Sequence, residues 1–258
     1  MDVANDNVIG IVGGMGPEAG MALFNSILTH TRAATDQEHL SVLLMSFPRH
    51  ITDRTLFLQG DEEINPAYNV SDMICRLEYA GARVVGLACN TVHVPEIFDV
   101  IAAELRKKNS QVRLLNMPAE TCRYIRRHHA QVHRVGLMTT NGTYRSALYE
   151  NLLLDFGFHA IVPDAMFQND VVHRMIYDKH FGIKANPGRI TPEVKLRAAE
   201  AIEFFRQHQA EAIILGCTEL SLLKQELSRD FVIIDSTEAL ALALIREATV
   251  ALAQAPQL

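Results

Sequence analysis

Two cysteines, Cys89 and Cys217, each close an apolar stretch of the same design. Arg83–His93 reads RVVGLACNTVH and Ala212–Leu220 reads AIILGCTEL: a β-branched apolar run with a glycine, then cysteine, then threonine. Runs of this kind read as strands buried on both faces. A thiol at the carboxyl end of such a strand, beginning a turn into a helix, is stabilised as thiolate. Its pKa can then move from ~8.5 into the range where it acts as a base. Matching positions suggest one site served by two thiols. Two other readings compete. A buried cysteine is often a small inert hydrophobe, and Cys89, His93, Cys217 and Glu219 could ligate zinc, although neither cysteine has a C-x-x-C partner. Cys75 and Cys122, on helical segments, fit the inert reading, and His93 fits a structural histidine.

Cations and glycines supply the remaining candidates. Arg54 stands in the polar loop PRHITDRT (Pro48–Thr55), and Lys184 in a loop beside Gly182 and Gly188. Loop cations are usually just solvated, but an arginine fork suits a carboxylate. The loop GGMGPEAG, Gly13–Gly20, follows a short strand. Gly14, Gly16 and Ala19 match a loose dinucleotide fingerprint, yet the next strand ends Ser46-Phe47-Pro48 rather than in an acid. A tight strand-to-helix turn explains the glycines. The backbone N–H groups around Met15 could also approach a small carboxylate at the helix N-terminus.

These residues need strands to present them. Val8–Val12, Leu40–Phe47, Arg83–Ala88 and Val112–Leu115 read as strands, the second and third of them buried, with helices after Pro17, Pro66, Pro95 and Pro118. The pattern restarts at His133–Met138, with the loop TTNGT (Thr139–Thr143) after it. Phe158–Val162, Glu211–Gly216 and Phe231–Ile234 follow, with Asp164–Arg189 irregular. Gly10 and Gly136 are 126 residues apart, Cys89 and Cys217 128, the shared offset that a duplication leaves. Strands alternating with helices imply parallel sheets. The expected fold is α/β: two pseudo-symmetric lobes, each a four-stranded parallel sheet flanked by helices, with the active site in the cleft between them. The lobes are 1–117 and 118–234, the last helix, 235–258, packing back on the first.

Bulk properties bound the function. The 258 residues are 48% hydrophobic with formal net charge −6, so the chain carries no electrostatic footprint for nucleic acid or an anionic membrane. No apolar run reaches the ~18 residues of a membrane span. The N-terminal MDVANDNV has no basic region before an apolar one, and the four cysteines read as free thiols; a cytoplasmic protein is expected.

In the order GGMGPEA, TDRT (Thr52–Thr55), ACNTVH (Ala88–His93), GIKAN (Gly182–Asn186) and GCTEL (Gly216–Leu220), these motifs span nearly the whole chain. They resemble the cofactor-independent Asp/Glu racemase superfamily, most closely its aspartate racemase branch. Gly13-Gly14-Met15 stands where glutamate racemases of cell-wall synthesis carry Asp-Ser. The resemblance implies an isomerase with Cys89 and Cys217 as its two acid/base groups, no cofactor, no metal, and an amino-acid substrate, aspartate or possibly glutamate. It implies further that Arg54 and Lys184 hold the side-chain carboxylate. Asn90, Thr91 and Thr218 would bind the α-groups, with Met15, Thr140 and Thr143 as lesser contributors, in a homodimer. Gly20 and Thr52 depart from the residues common in the family at those positions. A broader amino-acid racemase, a maleate-isomerase-like enzyme with one nucleophilic cysteine, and a non-catalytic two-lobed acid-binding protein are the alternatives.

Overall fold

A computed structural model describes residues 7–227 and 231–254. Residues 1–6, on which the expectation about a leader rested, lie outside that range. The strands are β1 (Val8–Gly13), β2 (Val42–Ser46), β3 (Ala82–Leu87), β4 (Arg113–Leu114), β5 (Arg134–Thr139), β6 (His159–Ile161), β7 (Ala212–Gly216) and β8 (Val232–Asp235). Helices are α1 (Pro17–His30), α2 (Arg54–Gln59), α3 (Ala67–Tyr79), α4 (Pro95–Lys107), α5 (Met117–His128), α6 (Asn141–Arg145) and α7 (Leu148–Asp155). They continue with α8 (Ala165–Phe167), α9 (Arg174–Tyr177), α10 (Pro192–Gln207), α11 (Lys224–Leu227) and α12 (Ser236–Gln254). The chain forms two compact units. One runs to Met117 and resumes at Thr237; the other is Pro118–Ser236.

Each unit holds one four-stranded parallel sheet, in the orders β2-β1-β3-β4 and β6-β5-β7-β8. The two orders are the same arrangement repeated, as the duplicated spacing anticipates. Period-2 alternation sends neighbouring side chains to opposite faces of each sheet. In the first unit Ile9, Ile11 and Val84 pack with Leu23 and Ile27 of α1 and Leu240 and Leu244 of α12. Val12, Val85 and Leu87 pack on the other face, with Val70 and Ile74 of α3 and Ile97 and Ile101 of α4. In the second unit Val135, Leu137 and Ile214 meet Cys122 and Ile125 of α5 and Tyr149 and Leu153 of α7. Met138, Ile213 and Leu215 meet Phe205 and Ala201 of α10. Each fully buried aliphatic side chain contributes about 1.5–3 kcal/mol.

Three local expectations change. β2 is an edge strand, so Leu44 and Ser46 are exposed rather than buried; an apolar run alone does not distinguish edge from centre. Asp164–Arg189 is not irregular. It contains α8, a π-helical turn at Gln168–His173, α9 and a 3-10 turn at Ile183–Ala185, elements too short to leave a periodic pattern. Finally, the polar loop Pro48–Thr55 ends in the start of a helix. Asp53 caps α2 by accepting hydrogen bonds from the N–H groups of Thr55 and Leu56, which makes Arg54 its first residue.

Candidate active site

The strand order reverses between β1 and β3 in one unit and between β5 and β7 in the other. Crevices beyond the carboxyl ends of strands at such a reversal are where open α/β sheets bind ligands. The chain segments found there are Gly13–Gly16 and Cys89–His93 in the first unit, and Thr139–Thr143 and Cys217–Glu219 in the second.

In the first unit the Ala88 N–H extends the β1–β3 ladder to the Val12 carbonyl, 3.0 Å away, and Cys89 follows directly. Cys89 is 6% exposed and packs in one cluster with Met15, Ile51 and Val92. Asn90 and Thr91 are buried beside it and enter a 3-10 turn, Thr91–His93, before α4 begins at Pro95. The turn from strand to α-helix therefore contains a 3-10 segment, and the α4 N-terminus lies several residues beyond the sulfur. His93 has a structural task. Its Nε2 accepts from the Met117 N–H (3.2 Å), which leaves the proton on Nδ1 to be donated to the Cys89 carbonyl (2.9 Å). Complete burial lowers its pKa to about 4, so the ring is neutral.

Arg54 is buried, not solvated in a loop. Its Nη2 donates to the Met15 carbonyl over 2.6 Å and its Nη1 to the Thr52 carbonyl over 3.2 Å, tying α2 to the glycine loop. Gly14 makes that loop possible. Its φ is +85°, and a Cβ there would stand 3.0 Å from the backbone nitrogens of Phe47 and Pro48. Thr55 was missed by the sequence reading although it lies in the TDRT motif. Its buried hydroxyl has no hydrogen-bond partner among the described residues.

In the second unit Thr139 pairs in register with Gly216, so Thr140 and Cys217 leave adjacent strand ends. Gly216 is required there, since a Cβ would lie 2.6 Å from Thr139 Cγ2. Thr140 caps α6: its hydroxyl accepts from the Thr143 N–H at 3.4 Å and lies 3.3 Å from the Thr143 hydroxyl. Cys217 is 6% exposed and enters the 3-10 turn Thr218–Leu223. Its thiol donates to Glu219 Oε2 at 3.0 Å, and the Thr218 hydroxyl donates to the same oxygen at 3.2 Å. Lys184 donates to Glu219 Oε1, and its ammonium stands 5.4 Å from the centre of the Tyr177 ring.

Burial alone would push the Glu219 carboxyl up and the Lys184 ammonium down. Their mutual attraction overrides both effects, holding Glu219 below and Lys184 above its ordinary value. The sequence reading considered Glu219 only as a zinc ligand; its position two residues after Cys217 was the available signal. Gln168 was missed altogether. From the π-helical turn it donates to the Thr139 carbonyl (2.9 Å) and to Asn141 Oδ1 (3.2 Å). Of the other cysteines, Cys122 is fully buried and its thiol is pushed up to about 12, as an inert core residue should be. Among the described residues no group of three or more His, Cys, Asp or Glu is placed to hold a metal ion, and no helix is long and apolar enough to cross a membrane.

The sequence model of the family described as "Asp/Glu/Hydantoin racemase" matches residues 12–244. The chain is 25% identical over 241 residues to the broad specificity amino-acid racemase RacX of Bacillus subtilis (strain 168), covering 91% of this chain and 95% of that protein. Among solved structures it resembles the aspartate racemase of Picrophilus torridus, at 28% identity and TM-score 0.74 with 94% of each chain covered. It also resembles a putative Asp/Glu racemase from Yersinia pestis, at 25% identity and TM-score 0.74, with 94% of this chain and 99% of that one covered. This chain belongs to the Asp/Glu/hydantoin racemase family and is an amino-acid racemase.

Proposed function

We propose that the enzyme interconverts L- and D-aspartate without a cofactor, using Cys89 and Cys217 as its two acid/base groups. The observation that carries this reading is the repeated position of the two sulfurs. Each follows the third strand of its unit, at the reversal of strand order, and is nearly but not wholly enclosed. Inversion at Cα requires a proton to leave one face and another to arrive on the opposite face. One thiolate takes the Cα proton, and the electron pair left on carbon is protonated by the other thiol. The cysteines exchange states and the net charge is unchanged. Asn90, Thr91 and Thr218 would bind the substrate's α-amino and α-carboxylate groups, and donors to the carboxylate would stabilise the charge that develops there; Met15, Thr140 and Thr143 are lesser contributors.

Arg54 is the proposed clamp for the substrate's side-chain carboxylate, and Lys184 a second cation acting with it. The Picrophilus torridus aspartate racemase, 28% identical, supports the dicarboxylate. Two observations favour a broader substrate range as second reading: Lys184 is already paired with Glu219, and the similar RacX is a broad specificity enzyme. The homodimer rests on the family resemblance, and sedimentation tests it.

The deciding experiment incubates pure protein with L- or D-aspartate in heavy water, following optical rotation and the Cα proton signal together. Racemisation with deuterium incorporation is expected. Tight binding without exchange would mean a binding protein, and faster exchange of neutral amino acids would select the broader reading.

A further inference from the structure

Glu219 is an unusual neighbour for a sulfur that must give and take protons. Its carboxylate is almost completely enclosed, and three donors converge on it: Lys184 on one oxygen, the Cys217 thiol and the Thr218 hydroxyl on the other. An ionised carboxylate accepts only, so this environment fits the anion and the anion fits a protonated sulfur. A thiolate at Cys217 would face a carboxylate oxygen at 3.0 Å, across a buried contact. Beside Cys89 the neutral His93 ring donates to the Cys89 carbonyl. The two sulfurs are equally exposed, at 6%, and Cys217 has a carboxylate oxygen 3.0 Å away.

We propose that Glu219, pinned by Lys184, is the positioning residue that keeps the proton on Cys217 in the resting enzyme, so that Cys217 enters the reaction as acid and Cys89 as base. The proposal rests on the two-cysteine reading. The titratable groups facing Glu219 are Lys184 and Cys217, and Tyr177 faces Lys184 from α9. Transfer from Cys217 to the Cα carbanion leaves a thiolate beside Glu219 while Cys89 gains the proton it removed, so charge balances. Repulsion then favours return to the starting arrangement.

Alkylation of the substrate-free protein by iodoacetamide, resolved by peptide mass spectrometry across pH, reads the ionisation of each sulfur without racemase activity. In the unmutated protein the labelling midpoint of Cys217 is expected to lie about one pH unit or more above that of Cys89, a roughly tenfold difference in rate at neutral pH. Glu219→Gln should lower the Cys217 midpoint by a similar amount with an unchanged high-pH plateau, and Glu219→Asp should keep the original midpoint. An equal or lower Cys217 midpoint in the unmutated protein overturns the proposal, whether or not the variants fold. So does a Glu219→Gln variant whose plateau rises at constant midpoint, which would mean that Glu219 only packs. Failure of Cα exchange in heavy water with the labelling pattern intact would instead count against the racemase chemistry.

Discussion

The Arg54 guanidinium donates through Nη2 to the carbonyl oxygen of Met15, 2.6 Å away and 39 residues earlier in the chain. This bond joins the helix start at Asp53 to the glycine loop after β1, and so places the proposed carboxylate clamp beside that loop. Arg54→Ala should lower kcat/KM for aspartate by roughly tenfold to a hundredfold, the range for a lost charge-assisted hydrogen bond, and affect a neutral amino acid far less. Steady-state kinetics on aspartate and alanine check this; equal losses would leave Arg54 as a loop tether only.

Cys89 and Cys217 should be individually indispensable. Cys89→Ala and Cys217→Ala are each expected to remove measurable racemisation, because one rigid base cannot serve both faces of a carbon. In the unmutated enzyme the rate should fall at both acid and alkaline pH, since one sulfur must be ionised and the other protonated. Polarimetry across pH measures both effects, and complete racemisation by either single variant would refute the two-base scheme.

His93 makes a separate prediction about stability. Its folded-state pKa is about 4 against an ordinary 6.5, because burial disfavours the charged ring. Below pH 6.5 the unfolded chain takes up a proton that the folded chain refuses until about pH 4. Stability should therefore be full above pH 6.5 and fall by up to about 3 kcal/mol as pH drops to 4. Urea denaturation at pH 7, 5.5 and 4.5 measures the slope. His93→Asn should be less stable at pH 7 by about 1–3 kcal/mol, through loss of the link between Cys89 and Met117, and should show a flatter dependence over this window.

Gly14→Ala should destabilise by about 1–3 kcal/mol, since φ of +85° strains a side-chain-bearing residue and the new methyl would press on the Phe47–Pro48 backbone. Thermal melting reports the loss. Activity should drop further than the stability change alone explains, because the same loop carries the carbonyl that holds Arg54.

The residues proposed to carry the chemistry were visible in the chain because strand-end thiols are marked by local context. Cys89 and Cys217 stand out as repeated strand-end thiols, and the repeated spacing foretold two sheets of one design, since buried parallel strands write themselves as apolar runs. Asp53 before Arg54 was a legible helix cap that the polarity of its surroundings disguised as a loop. What no local pattern encodes is who meets whom over long separations. Lys184 and Glu219 are 35 residues apart, and only the packing of the 3-10 turn at Ile183–Ala185 against the one at Thr218–Leu223 converts an apparently solvated cation into one half of an ion pair beside a sulfur. His93 is alike: its neutrality comes from burial, and its ring accepts from a partner 24 residues away. Burial and long-range pairing set the charge of both groups, and these are properties of the folded volume rather than of any stretch of chain.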